Sequence, residues 1–168
     1  MADQTSDKRL ELAYDAAQKK LAMQDATLGN VRTRANTLLA TSALFTSFSA
    51  GIGLLNTDAS KGPVFPACAA TWLAVIMVLL GACVVYISWT VKEWHYVPSA
   101  RIILEKIGQQ KTEDEIREFV AKAMIDGATT NAPELSRRQL AFRVANILLI
   151  IEVSLLVGVL IASRGGGI

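Results

Sequence analysis

Charge is segregated along this chain, and that segregation constrains its fold more than any motif does. No charged residue stands at positions 35–56 or 62–91, and only Glu152 stands between Arg143 and Arg164. Three long apolar blocks therefore alternate with highly charged segments. Over 168 residues the hydrophobic share is 52% and the charged share 19%, against about 45–50% and about 25% in an ordinary soluble domain. The pattern excludes a soluble enzyme with a mixed surface and a disordered tail. Two cysteines are too few for a disulfide scaffold, and a net charge of +2 is too small to suggest nucleic acid. The length allows one domain and rarely two.

A helix needs about 20 mostly apolar residues to cross roughly 30 Å of hydrocarbon. Residues 67–91 exceed that length without an ionisable group other than Cys and Tyr, so some tilt is expected. Residues 144–163 are strongly apolar apart from Asn146 and Glu152. Residues 35–55 are diluted by Thr37, Thr41, Ser42, Thr46, Ser47 and Ser49. A buried amphipathic hairpin competes for this block. A span is the preferred reading, because its neighbour needs a partner to return across the bilayer and backbone in lipid must be helical. The expected class is thus all-α: an integral membrane protein with three transmembrane helices and a cytoplasmic helical layer.

Orientation follows from the basic residues. Lys8, Arg9, Lys19, Lys20, Arg32 and Arg34 precede the first block. Lys92, Arg101, Lys106, Lys111, Arg117, Lys122, Arg137, Arg138 and Arg143 lie between the second and third. Only Lys61 and Arg164 remain of the 17. The N-terminus is therefore expected in the cytoplasm, with the loop 56–66 and the C-terminus outside. The organisation reads as a cytoplasmic amphipathic helix (1–34), a transmembrane hairpin (35–91), a cytoplasmic helical segment (92–143) and a third span with an outer tail (144–168). The first 34 residues lack an apolar h-region, so the first span is expected to act as an uncleaved signal anchor. Trp72, Tyr86, Trp89, Trp94 and Tyr96 suit anchoring at the headgroup level better than ligand binding.

Before the first block, Leu10, Ala17, Gln24 and Val31 recur every seven residues, and Tyr14, Leu21 and Leu28 fill the intervening register. With Thr5 or Ser6 as cap and no proline before the block, one helix is expected from about Ser6 to Leu55, about 75 Å at 1.5 Å per residue, with Gly29-Asn30 its likeliest kink by residue type. Its stripe is expected to pack on cytoplasmic helices of the same subunit; self-association through three heptads competes with that. In the second charged segment, Pro98-Ser99 opens a short helix stopped by Gly108. Thr112 with Glu115 forms a capping box, opening a helix expected to end at Gly127. Residues 128–132 read as a turn, and Pro133 as an early position of the next helix.

Glu152 is the sharpest candidate. It lies near mid-bilayer, where an ionised carboxylate costs at least about 2.5 kcal/mol, so it should face protein or water. Thr46 and Ser47 lie at similar depth on the first span, with Ser49 nearby; Asn146 is the other intramembrane polar residue of the third span. A protonated Glu152 hydrogen-bonded to these hydroxyls is one reading, and a ring of Glu152 side chains lining an oligomeric pore is the other. Ala43, Ser47 and Gly51, widened by Ala50 and Gly53, allow close helix approach within or between subunits. His95 has no companions for a metal site. Cys68 and Cys83 lie about 22 Å apart by helical rise and cannot bond within a subunit. The pairs Arg32/Arg34 and Arg137/Arg138 are topology determinants or sites for anionic headgroups or phosphate. Residues 165–167 read as a flexible end. No catalytic, cofactor or metal motif is present, so an enzyme is not expected.

The run QKKLAMQDATLGNVRTRANTLLATSALFTSFSAG, the aromatic-ended second span and the late NAPELSRRQLAFRVANILLIIEV resemble small bacterial membrane proteins. The layout is similar to the two-transmembrane SLATT-type effector domains of antiphage systems, though a third span departs from that plan. The resemblance implies an oligomer in the inner membrane that disrupts it upon a signal. Two functions follow as expectations: an oligomeric membrane effector or channel-like pore whose partners are the bilayer and further copies, or a membrane-anchored adaptor recruiting a soluble cytoplasmic protein.

Overall fold

The computed structural model describes residues 7–55 and 67–165. The loop 56–66 with Lys61, the Thr5 or Ser6 cap and the glycines beyond Gly165 lie outside the described residues, as do the side chains of Ala50, Gly53 and Arg164. Four helices are described: α1 (Lys8–Leu55), α2 (Ala67–Ser88), α3 (Ala100–Gly108) and α4 (Glu113–Gly165). There is no strand among the described residues.

Local signals account for most helix ends. Asp7 caps α1: its carboxylate accepts from Arg9 N at 2.9 Å, and its carbonyl accepts from Leu10 N at 2.9 Å. A negative cap also complements the helix dipole. Ser99 precedes α3 in extended geometry, and its carbonyl accepts from Ile102 N at 3.0 Å. The capping box of α4 is reciprocal: Thr112 N donates to Glu115 Oε2 at 2.9 Å, and Glu115 N donates to Thr112 Oγ1 at 3.3 Å.

The expected break at residues 127–132 does not occur; α4 continues through it with Pro133 inside the helix. Proline removes a donor and crowds the preceding turn, at about 3 kcal/mol in a helix interior. The donor removed is the one to the Thr129 carbonyl, while side chains engage two other carbonyls just before it. Thr129 and Thr130 hydroxyls both donate to Asp126 O, at 2.8 and 2.9 Å, and Gln24 Nε2 donates to Ala128 O at 2.9 Å. Continuation keeps Met124, Ala128 and Asn131 on one buried face. Gly127 is not a stop signal but a close-approach position: a Cβ there would meet His95 Cβ at 3.1 Å. Asn131 is 1% exposed. It holds the His95 backbone from both sides, accepting from His95 N at 2.9 Å and donating to His95 O at 2.8 Å.

The chain divides into two compact units. The first contains residues 1–29 and 90–137. Its core is Ala17 and Leu21 of α1 against Val120, Met124 and Ala128 of α4, flanked by Tyr14, Ile103 and Ile116. The stripe expected on α1 is therefore the buried one, and it packs within the subunit. The second unit contains residues 30–89 and 138–168. Here Val31 and Ala35 of α1 pack with Leu80, Val84 and Ile87 of α2, flanked by Ala141, Phe142, Leu148 and Leu149 of α4.

Among the described residues two helices, not three, are long and apolar enough to cross a membrane: α2 and α4. Only 28% and 17% of their most apolar windows is buried, whereas the core helix of a soluble protein would be mostly buried. Trp72, Val78, Ile147, Ile150 and Ile161 are exposed, and such bare apolar side chains on a helix surface suit contact with lipid or another protein.

α3 ends in a Schellman arrangement, with Gln110 N on Ile107 O at 2.9 Å and Lys111 N on Lys106 O at 3.3 Å. The left-handed residue is Gln110 at φ 55°, not Gly108. A side chain in that region costs about 1–2 kcal/mol, so Gln110→Gly is expected to stabilise the protein by up to about 1 kcal/mol in a denaturant melt. At the next helix start, the backbone bond from Thr112 and then the Lys111 ammonium hold the Glu115 carboxyl below its ordinary range. A group with a depressed folded value stabilises above its unfolded value and loses that contribution as pH falls through the folded one. The protection factors of amides in the first turn of α4, with intrinsic exchange divided out, should therefore fall on acidification through the carboxylate range, and Glu115→Gln should remove that pH dependence.

Candidate functional site

Three helices of the second unit converge on one acid. Glu152 of α4 and Ser42 of α1 are both 0% exposed. Ser42 Oγ lies 2.5 Å from Glu152 Oε2, and Thr46 Oγ1 donates to Glu152 Oε1 at 2.8 Å. From α2, Met77 Sδ stands 2.7 Å from Ser42 Oγ. Ser42 and Thr46 are four residues apart and share a helix face, so each takes one carboxyl oxygen. A buried polar group costs free energy unless it is hydrogen-bonded. The carboxyl has its partners inside a single subunit.

The other polar candidates sit elsewhere. Ser49 is buried but donates to Phe45 O of its own helix at 2.8 Å. Asn146 is half-buried and donates to Phe142 O one turn back, at 2.8 Å. Ser47 is exposed, as is Ala43. Of the residues picked from the sequence, Thr46 joins Glu152; Ser47, Ser49 and Asn146 do not. Ser42 was missed as a partner because depth alone was matched. Its signal is the register: Tyr14, Leu21 and Leu28, continued by sevens, lead to Ala35, Ser42 and Ser49, and the last three are all buried.

A cavity of about 310 Å³ lies against this group, lined by Thr46, Ser49, Ala70, Leu73, Ala74, Met77 and Leu156. Its walls are apolar except for the two hydroxyls. Thr46 belongs both to the cavity wall and to the carboxyl group.

A second polar device closes the C-terminal end of α2. Arg138 is 2% exposed, and its Nη1 donates to Ile87 O at 2.5 Å and to Trp89 O at 2.7 Å. Its guanidinium lies 5.6 Å from the Tyr86 ring centroid. Arg32 Nη2 adds a bond to Trp89 O at 3.2 Å. The last carbonyls of a helix lack intrahelical partners and carry the negative end of its dipole. Two arginines that read as topology or anion-binding residues thus serve these carbonyls; Arg34 and Arg137 are exposed. Among the described residues no group of three or more His, Cys, Asp or Glu is placed to hold a metal ion.

No family model, no curated protein and no solved structure matches this chain.

The geometry orders the effects of substitution. Glu152→Gln keeps one acceptor and one donor and should change stability by less than about 1 kcal/mol. Ser42→Ala with Thr46→Val strips both partners and should cost about 1–3 kcal/mol. Unfolding of the detergent-solubilised protein measures both; equal losses for the two variants would contradict this arrangement.

Proposed function

We propose that the chain is an oligomeric bacterial inner-membrane protein of three spans that acts as a membrane effector or channel-like pore, with the antiphage role that its layout implies. α1 is the third span. It packs along α2 and α4 within one unit, so helices that lie in lipid would carry α1 with them. The basic residues around it set the N-terminus in the cytoplasm and the C-terminus outside.

The observation that carries the oligomer is the outer face of α1. Asn36, Ala40, Ala43 and Ser47 are exposed and share one side of the helix, next to the bulky exposed Leu44 and Phe48. Small residues at four-residue spacing favour close helix approach in lipid, and among the described residues nothing covers Ala43 or Ser47. Neighbouring copies brought together there would place Asn36 and Ser47 along a shared path. Glu152, enclosed in each subunit, would control that path through packing and not line it.

A separate observation favours the adaptor reading. The first unit has its own core and leaves Leu104, Ile107 and Tyr96 exposed at 65%, 55% and 67%, an apolar surface suited to a soluble protein.

Mass measurement of the protein in lipid nanodiscs separates the two. The effector reading expects a homo-oligomer that Ala43→Leu with Ser47→Leu reduces to monomers, and induced expression that collapses membrane potential in wild type but not in that variant. A monomer with intact potential, purified with a stoichiometric foreign protein, sinks it in favour of the adaptor.

A further inference from the structure

The first unit carries a helix that buries none of its residues: α3. Ala100, Ile103, Leu104 and Ile107 share one face, and Arg101, Ile102 and Glu105 take the other side. Of the apolar face, Ile103 packs against the core of the first unit. Leu104 and Ile107 are left bare, as are Tyr96 and Val97 just before the helix. Such an edge can meet a soluble protein or a lipid surface. Charge, aromatic rings and the path of the chain favour lipid. Between positions 89 and 111, Lys92, Arg101, Lys106 and Lys111 stand against Glu93 and Glu105, an excess that a leaflet of anionic headgroups attracts. Trp89 and Tyr96 are exposed, and such rings favour headgroup level. α2, long and apolar enough to cross a membrane, ends at Ser88, and α3 begins at Ala100. The tether between them spans at most about 40 Å when fully extended, so α3 stays near the surface at which α2 ends.

We propose that α3 is an interfacial helix, whose bare edge of Leu104 and Ile107 lies in the anionic leaflet at which α2 ends. The inference rests on α2 as a span and goes beyond it, since a span by itself places no neighbouring helix on lipid. An interfacial helix sinks its apolar face about 5–10 Å, to the boundary of headgroups and acyl chains. Leu104 and Ile107 reach that boundary, and Tyr96 sits at headgroup level. Lys92 and Arg101 stand among the lipid phosphates, while Glu105 on the other side stays in water. Ile103 ties α3 to the core of the first unit, so the contact with lipid anchors that core.

Spin labels test the depth, because oxygen concentrates in hydrocarbon and a nickel chelate stays in water. Cys68→Ala with Cys83→Ala gives the background, and Leu104→Cys, Glu105→Cys and Val78→Cys each supply one label site. All three native residues are exposed, so a label disturbs little packing. The full chain is placed in nanodiscs of phosphatidylcholine, with and without phosphatidylglycerol. In the anionic discs the oxygen-to-nickel accessibility ratio at position 104 should exceed that at 105 by about tenfold. It should fall severalfold in the neutral discs. Amides of residues 101–108 in the wild type should be about tenfold better protected in the anionic discs, and Leu104→Ser with Ile107→Ser should cancel that difference. A label at 104 open to nickel, while that at 78 meets only oxygen, overturns the proposal and leaves the span standing. A label at 104 closed to both quenchers is covered by protein, a second copy or a foreign chain, and overturns it as well. Equal ratios at 104 in both discs overturn the preference for anionic lipid. A label at 78 open to nickel removes the span and the interfacial helix together.

Discussion

A carboxyl placed in an apolar helix must find partners, and this requirement organises the second unit. Glu152 is enclosed by α4's own apolar neighbours, so its hydrogen bonds must come from another helix. Ser42 and Thr46 supply them. That choice fixes the rotation of α1: the face carrying positions 42 and 46 turns inward, and Ala43 and Ser47, roughly a quarter-turn further round, turn out. The small outer face is thus a consequence of the inner bond.

The same dependence on partners explains what could be read from the chain and what could not. The seven-residue register of α1, the Thr112–Glu115 box and the inward position of Glu152 are legible, because each depends on spacing along one segment. The partner of Glu152 depends on helix rotation, which depth alone does not give; Ser47 matches the depth of Thr46 but faces away. Arg138 looked like any basic residue at a membrane flank. Its task becomes visible only when the end of α2 lies against it, with Ile87 and Trp89 carbonyls in reach.

α4 gives the opposite lesson. Gly127, two threonines, Asn131 and Pro133 together carry every local sign of a turn, yet the helix passes through them. Each sign has a second use here. Gly127 makes room for His95, the threonine hydroxyls serve the Asp126 carbonyl, and Asn131 fastens a loop backbone. Residues that weaken a helix in isolation can be held in one when their polar atoms are engaged and the face they continue is buried.

The hydroxyl side chains along α1 are engaged within the protein. Thr37 and Thr41 donate to carbonyls one turn back, at 3.1 and 2.9 Å, and Ser49 does the same. Ser42 and Thr46 belong to the Glu152 group. Composition counts these hydroxyls as polar, but each already has a hydrogen-bond partner, so burying it costs little. Leucine at 42 and 46 would raise the hydropathy of α1 and leave the carboxyl of α4 without a partner. Helix apolarity and acid satisfaction compete for the same two positions, and the chain resolves the competition in favour of the acid.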